Sequence, residues 1–487
     1  MAADRTRSRV ATGARIATGV VVLALAAAVT GAALVLPVPS KTAVPASFTV
    51  DPAPAEEVRA CPGPLVRLSD DTGQDATAIS GVGTADVVAA ATAADTPVDV
   101  TALASPDDRI AAEPTAPRRV ALPAPAAGDL VTGESTVALF GAAQSESVAA
   151  GDLVGFAATA CGEASADSWL VAGATTVGRT SFVMLGNPGD VSSVVDLTLY
   201  GESGLVESPG AKNIDVPARS TRIISLAGLA PGLTAPVVHV EARVGAVTAA
   251  VQQSIVRGLE PGGAELAGST AAPATEQVIP GIQIAGTSTI AERLADPDYV
   301  DLQSVIRLFV PGDTPASVTL RIAEEKTGGA QTEYQVGLTP GVVTEFPLQD
   351  IPDGIYTVEA DSDQPLVVSA RTSTIAGESS DFSWYQAVDQ LDDAFFVATA
   401  PGPTPRLHLV NASGADADVT LTTPAGSSQV VTIVPGTRYV PLEPGQSYTV
   451  TSAVPLAAAV SYFGDGQSSS FAVSRPSPAA APIVVYP

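Results

Sequence analysis

The chain has 487 residues, 46% of them apolar, with 43 glycines and 40 prolines; it is too long for one ordinary domain and too apolar for wholesale disorder. Acidic residues outnumber basic ones by 51 to 24, a formal net charge of −27, which excludes the basic footprint of a nucleic-acid binder and argues against adsorption of the bulk of the chain to anionic lipid. Lysine occurs only at Lys41, Lys212 and Lys326; with abundant Ala, Gly, Pro and Arg, this usage points to a GC-rich genome.

Residues 1–15 carry Arg5, Arg7, Arg9 and Arg15 against Asp4 alone, and Ile16 to Leu36 are uncharged and mostly apolar. Twenty-one helical residues reach roughly 31 Å, the thickness of a bilayer core. With the positive flank held inside, the sequence predicts a cytoplasmic N-terminus over 1–15, one transmembrane helix over 16–36, and everything after Pro37 outside the cytoplasm. A cleaved signal is the alternative. It would have a shorter apolar run and a small-x-small site, of which Ala43-Val44-Pro45 is a weak version. Residues 37–54 read as a Pro- and Ala-rich stalk.

Residues 55–166 are expected to form an N-terminal β domain. They hold Cys61 and Cys161, the only cysteines. An even count outside the cytoplasm supports a disulfide. Two isolated Cys and two distant His lack the spacing of a zinc site.

Three later stretches repeat one another without a gap: FVMLGNPGDVSSVVDLTLYG from Phe182, VIRLFVPGDTPASVTLRIAE from Val305 and RLHLVNASGADADVTLTTPA from Arg406. Val183, Ile306 and Leu407 correspond, as do Leu185, Leu308 and Leu409. After the turn come Val195, Val318 and Val419, then Leu197, Leu320 and Leu421. Each reads as strand, turn, strand, and Val318, Leu320 and Ile322 alternate with Ser317, Thr319 and Arg321 as in a half-buried strand. Short alternating strands with frequent turn signals suit a small Ig-like β-sandwich. The expected architecture is therefore mainly β: tandem Ig-like sandwiches over 167–257, 297–375 and 380–487 after one transmembrane helix. Residues 258–296 read as a linker or irregular connection, and Ile483 to Tyr486 could add a last strand.

Little chemistry is visible. His239 and His408 are the only histidines, both in alternating strand runs, and no G-x-S-x-G, P-loop or dinucleotide fingerprint occurs. Acidic clusters stand at Asp70, Asp71 and Asp75, at Asp296, Asp298 and Asp301, and at Asp389, Asp392 and Asp393. None completes an EF-hand loop, and solvated surface is the simpler reading. Trp169 and Trp384 are expected as core anchors at the start of two sandwiches. Asn411-Ala412-Ser413 is a glycosylation sequon placed where turn chemistry is expected.

A short basic N-terminus, one anchor, Cys61-Pro62 beyond the stalk, Cys161 shortly before Trp169, and Gly186-Asn187-Pro188-Gly189 resemble an uncharacterised family of actinobacterial single-pass membrane-anchored extracytoplasmic proteins. The departure is Leu170, where another aromatic would follow the Trp. The resemblance implies no activity. The sequence thus predicts a non-catalytic structural or interaction protein of the cell envelope, with no catalytic residue, cofactor or metal. Its partner would be an envelope protein or a cell-wall glycan. A glycan-binding or adhesive module is the second reading, and an envelope glycosidase the third.

Overall fold

The computed structural model describes residues 20–21, 23–24, 48–50, 56–68, 79–92, 96–104, 116–122, 139–326, 328–377, 379–475 and 483–485. They fall into two compact units, one of residues 1–52 with 481–487 and one of residues 53–480. In the first, Phe48–Val50 pairs antiparallel with Ile483–Val485. The tail strand foreseen near Ile483 therefore exists, but it pairs with residues of the expected stalk and not with the third repeat. Of the apolar run 16–36, only Val20, Val21, Leu23 and Ala24 are described, and they are helical. The rest of that run and residues 1–15 lie outside the described residues. Among the described residues no helix is long and apolar enough to cross a membrane.

Residues 53–480 repeat one pairing scheme. In the copy that begins at Asp167, a lead strand Asp167–Leu170 pairs with Val237–Val244, which pairs with Ser193–Gly201. Gly204–Val206 and Ile214–Val216 finish that sheet. The facing sheet runs Ser220–Ser225, Arg179–Asn187, Thr248–Arg257 and a closing strand, Glu260–Gly268. Between them lies one core, including Val183, Leu185, Val195, Leu197, Val240 and Val251. Each such side chain, fully buried, contributes about 1.5–3 kcal/mol.

The next copy has the lead strand Ala274–Ile284, then the first half of the long strand Gly354–Ala376, then Ala316–Glu324 and Gln331–Leu338. Its second sheet runs Thr344–Pro347, Val305–Phe309, the second half of Gly354–Ala376, and the closing strand Ser379–Gln386. The last copy follows suit, with Ala394–Ala398, Ser447–Ser452, Ala417–Thr422 and Ser428–Ile433 in one sheet. Its other sheet holds Gly436–Pro441, Arg406–Asn411, Leu456–Gly464 and the closing strand Gln467–Ala472. In all three copies the turn singled out in the sequence carries the chain from one sheet to the other.

The N-terminal region is a fourth copy of the scheme. Glu57–Cys61 pairs with Arg118–Leu122, which pairs with Asp99–Ala102. Opposite, Asp86–Ala91 pairs with Phe140–Ala150, which pairs with the closing strand Leu153–Ala160. Two edge positions have no strand among the described residues.

The boundaries expected from sequence need correction. Residues 258–296 are no linker: they contain the closing strand Glu260–Gly268, the lead strand Ala274–Ile284 and the helix Thr287–Arg293. Likewise Ser379–Gln386 closes the second of the three sequence repeats and does not open the third. The Gly, Pro and Ala residues that suggested a linker are small because the closing strands pack tightly together.

That packing closes the chain into a ring. Each closing strand lies against the core of the preceding copy as well as its own. Phe382 and Trp384 enter the core around Val183 and Leu185. Ala264 and Leu266 pack with Leu65, Val82 and Leu153. Phe156 and Ala158, from the N-terminal copy, join the core of the C-terminal copy around Leu407 and Leu409. The first copy is thereby bound to the last.

Cys61 and Cys161 form the expected disulfide, across a separation of 100 residues. In its copy the lead strand meets the segment leaving the closing strand, Ala60 opposite Gly162. The next two copies make the same contact through Trp169 with Thr270 and Val278 with Val388. The covalent bond thus reinforces a joint that the next two copies close through backbone bridges.

Candidate functional site

The four closing strands meet at Asp381. Its Oδ1 accepts from the backbone N–H of Ala264 at 3.3 Å and of Phe382 at 3.0 Å. Its Oδ2 accepts from Phe156 N–H at 3.0 Å and Ser468 N–H at 3.3 Å. Phe156, Ala264, Phe382 and Ser468 each stand four places before the last residue of their closing strand, so one carboxyl takes one equivalent donor from every copy. Burial pushes the Asp381 carboxyl well above its ordinary range, while the four N–H groups pull it down. Both lone pairs of both oxygens are engaged, which leaves no room for a proton without displacing a donor. The geometry is that of a carboxylate. Around it space is made by glycine: Gly263 has φ +113°, and a Cβ there would stand 2.5 Å from Asp381 Oδ1.

One layer along, Glu265 is also buried. Its Oε1 accepts from Ser469 Oγ at 2.7 Å and from its neighbour Leu266 N–H at 2.8 Å. Burial raises its carboxyl well above the ordinary range.

Where the closing strands end, they frame a pocket of about 280 Å³. The last residues of the four strands, Ala160, Gly268, Gln386 and Ala472, all line it. Glu163, Asp167 and Asp389 bring carboxyl groups to its wall, and no lysine or arginine is among the described residues lining it. Gln386 is 4% exposed, and its Oε1 has no hydrogen-bond partner.

Asp167 also belongs to the one group of side chains that could hold a metal ion among the described residues, Asp167, His239 and Glu241. His239 Nε2 lies 2.7 Å from Asp167 and Nδ1 lies 3.6 Å from Glu241, with the ring stacked on Trp169 at 4.0 Å. The imidazole is hydrogen-bonded to Asp167 alone, and Asp167 and Glu241 are exposed carboxylates of the kind common without an ion.

His408 stands elsewhere, between Glu325 and Ser461. Its Nδ1 is 2.6 Å from Glu325 Oε2 and its Nε2 is 2.7 Å from Ser461 Oγ. The order Ser–His–Glu is that of a hydrolase relay. Sequence reasoning missed it because Glu325 comes from another copy, 83 residues away. Yet His408 is 0% and Ser461 2% exposed, Glu325 Oε1 is taken by Thr357 Oγ1 and Gly281 N–H, and a Cβ on Gly281 would meet the imidazole at 2.6 Å. No substrate can reach that serine. The three groups join neighbouring copies.

The other residues singled out in the sequence take structural places. Asp70, Asp71 and Asp75 lie outside the described residues. Asp296 accepts from Asp298 N–H and starts a short 3-10 turn. Asp301 is buried between Arg179 and Arg257, at 2.5 and 2.6 Å. Burial alone would raise its carboxyl, but the hydrogen bonds and charge of Arg257 hold it below the usual range. Asp389 faces Arg475 at 3.6 Å. Among the described residues, neither the cluster at Asp296, Asp298 and Asp301 nor that at Asp389, Asp392 and Asp393 is gathered into an oxygen cage. Trp169 is a core residue of a lead strand, as expected. Trp384 is core but in a closing strand, with Arg307 over its ring at 4.5 Å and Nε1 donating to Gln253 at 2.7 Å. Asn411 of the sequon is buried; its Nδ2 donates to Ala415 and Ile433 carbonyls. Asn187 does the same with Val191 and Val216, so two of the three repeat turns are held by one asparagine device, while the turn after Val305 has Val310 at that place.

No curated protein matches the chain. Among solved structures, the crystal structure of Thermotoga maritima 1070 aligns with 24% of this chain and 93% of its own, at 15% identity and a TM-score of 0.20; a likeness of that size carries no argument. Residues 121–453 match the family of unknown function DUF5719, and as that is most of the chain, the protein belongs to this family.

Proposed function

We propose that the protein is a non-catalytic structural or interaction protein of the cell envelope, a rigid ring of Ig-like β-sandwiches displayed outside the cytoplasm by the apolar segment 16–36. The observation that carries this reading is the closed ring sealed by Asp381. It joins four copies into one body, and the only hydrolase-like relay among the described residues, Ser461–His408–Glu325, is buried where it can only hold copies together. The arginine flank before residue 16 supports an inside N-terminus, and the disulfide suits an oxidising compartment. The resemblance noted above makes an actinobacterial source the natural reading of the composition.

In-cell crosslinking followed by recovery of the full chain from native membranes tests the proposal. Reproducible enrichment of one envelope protein is expected. Recovery of cell-wall polysaccharide alone would replace the scaffold by a glycan-binding module. A mature N-terminus near Pro45 would overturn the anchor.

A further inference from the structure

The chain has two histidines, and the fold places them differently. Both nitrogens of His408 are taken, Nδ1 by Glu325 at 2.6 Å and Nε2 by Ser461 at 2.7 Å. His239 has a hydrogen-bond partner on one nitrogen only: its Nε2 stands 2.7 Å from Asp167 Oδ2. An ionised carboxylate only accepts, so Nε2 carries the proton of that bond. The neutral ring then offers a lone pair at Nδ1, and beside it is another acceptor, Glu241 Oε2, at 3.6 Å. That distance is too long for a hydrogen bond. It is close to the separation of two ligand atoms across a tetrahedral zinc ion, about 3.4 Å for bonds of about 2.1 Å.

The strands hold these groups in place. Asp167 pairs with Glu241, and Trp169 with His239, on adjacent strands. Leu170, Val238 and Val240 alternate with them and fill the core, so all four side chains share the outer face of the sheet. The imidazole lies flat on the indole, with 10° between planes and 4.0 Å between centres, and Trp169 is itself buried. The ring is thus oriented before any ion arrives. Asp167 directly opposite Glu241 is a like-charge pair, unfavourable by itself, and a cation at Nδ1 would relieve it. The charged groups of the next strand are engaged elsewhere: Asp196, on the other side of Glu241, by Arg243 and Asn213 N–H, and Lys212 by Thr198. Two exposed carboxylates alone would make no site; an imidazole nitrogen with no hydrogen bond, set at ligand spacing from one of them, does.

We propose that His239 Nδ1 and the Glu241 carboxylate bind one divalent transition-metal ion of the zinc class, with water completing the shell and Asp167 as a positioning residue that holds the imidazole through Nε2–H. Imidazole and carboxylate ligands suit zinc, and a carboxylate on the second nitrogen is the usual companion of a metal-bound histidine. The site lies within one copy, so it does not rest on the scaffold reading and would stand if no envelope partner were found.

The test is calorimetric titration of the full-length chain in detergent with zinc chloride, against calcium chloride at the same ionic strength. Zinc is expected to saturate one site per chain. Calcium, which takes oxygen ligands, should give no saturation; equal binding of calcium would mean diffuse attraction to an acidic surface and overturns the proposal. Nickel at the same site should quench the emission of Trp169, whose ring stacks on the imidazole, and excess chelator should restore it. His239→Phe keeps a ring on the indole and removes the nitrogen, so it should abolish zinc binding and nickel quenching together. Should His239→Phe fail to keep the native melting temperature, Glu241→Gln, at an exposed position, replaces it and should weaken zinc by about tenfold or more. Asp167→Asn should leave one site and weaken it by about 10–100-fold, the usual cost of losing the carboxylate behind a metal-bound histidine. Absence of saturable zinc binding at millimolar concentration overturns the proposal. So does a zinc affinity unchanged in His239→Phe or in Glu241→Gln, and one unchanged in Asp167→Asn removes the positioning role of that residue.

Discussion

Asp381→Asn is the sharpest probe of how the ring is held. Asparagine keeps the size of the side chain but offers one oxygen where the carboxylate offers two. Phe156 and Ser468 donate to one oxygen, Ala264 and Phe382 to the other, so an amide can satisfy two donors and must turn its own N–H₂ toward the remaining pair. Two orphaned buried N–H groups, each costing about 1–3 kcal/mol, predict a loss of about 2–6 kcal/mol. Removing the buried charge gives part of this back, which places the expected value in the lower half of that range. The assay is guanidinium unfolding at pH 7, followed by the fluorescence of Trp169 and Trp384, both buried, with circular dichroism as the second probe for coincidence. If Asp381→Asn unfolds within about 0.5 kcal/mol of the natural chain, a difference within the range of ordinary surface substitutions, then Asp381 is a neutral acid in the folded protein and the four-donor account is wrong.

Glu146 gives a pH signature. Burial pushes its carboxyl up to about 7, against 4.5 unperturbed, so the folded state holds this proton more tightly than the unfolded chain. The stabilisation is full below pH 4.5 and is lost as pH rises through 7, about 3 kcal/mol in all; thermal melts of Glu146→Gln should lack that slope. Replacing Cys61 with Ser opens a loop of 100 residues and should cost up to about 4.7 kcal/mol by chain entropy, read as a lower midpoint in denaturant under non-reducing conditions. A fluorophosphonate probe should leave Ser461 unlabelled in the native protein, as mass spectrometry of the intact chain would show; stoichiometric labelling would mean the relay opens to solvent.

Much of each copy was legible in the sequence. Val183, Leu185, Val195, Leu197 and their counterparts share a register because each must fill the same place between two sheets, and all are buried. The margins were not legible. Glu260-Pro-Gly-Gly-Ala-Glu-Leu-Ala-Gly268 has no alternation, since both faces of a closing strand pack and the strands approach too closely for large side chains. Composition alone cannot tell such a strand from a linker. The hub was invisible for a different reason: Asp381 is satisfied by backbone N–H groups, and these leave no mark on residue identity. The Ser461–His408–Glu325 arrangement escaped notice because Glu325 reaches His408 and Ser461, which lie on paired strands of one sheet, only from the neighbouring copy.

The contacts of Asp381 also dictate an order of events during synthesis. Its donors span from Phe156 to Ser468, so the hub cannot be complete until nearly the whole chain has been made. The N-terminal copy, finished first, must wait with Phe156 and Ala158 uncovered until the core around Leu407 is there to receive them. Long-range closure of this kind is slow and leaves apolar surface open to aggregation. A nascent chain of this protein is therefore a natural client for holding chaperones until its last strand is released, and a truncation before Gln467 would keep it one permanently.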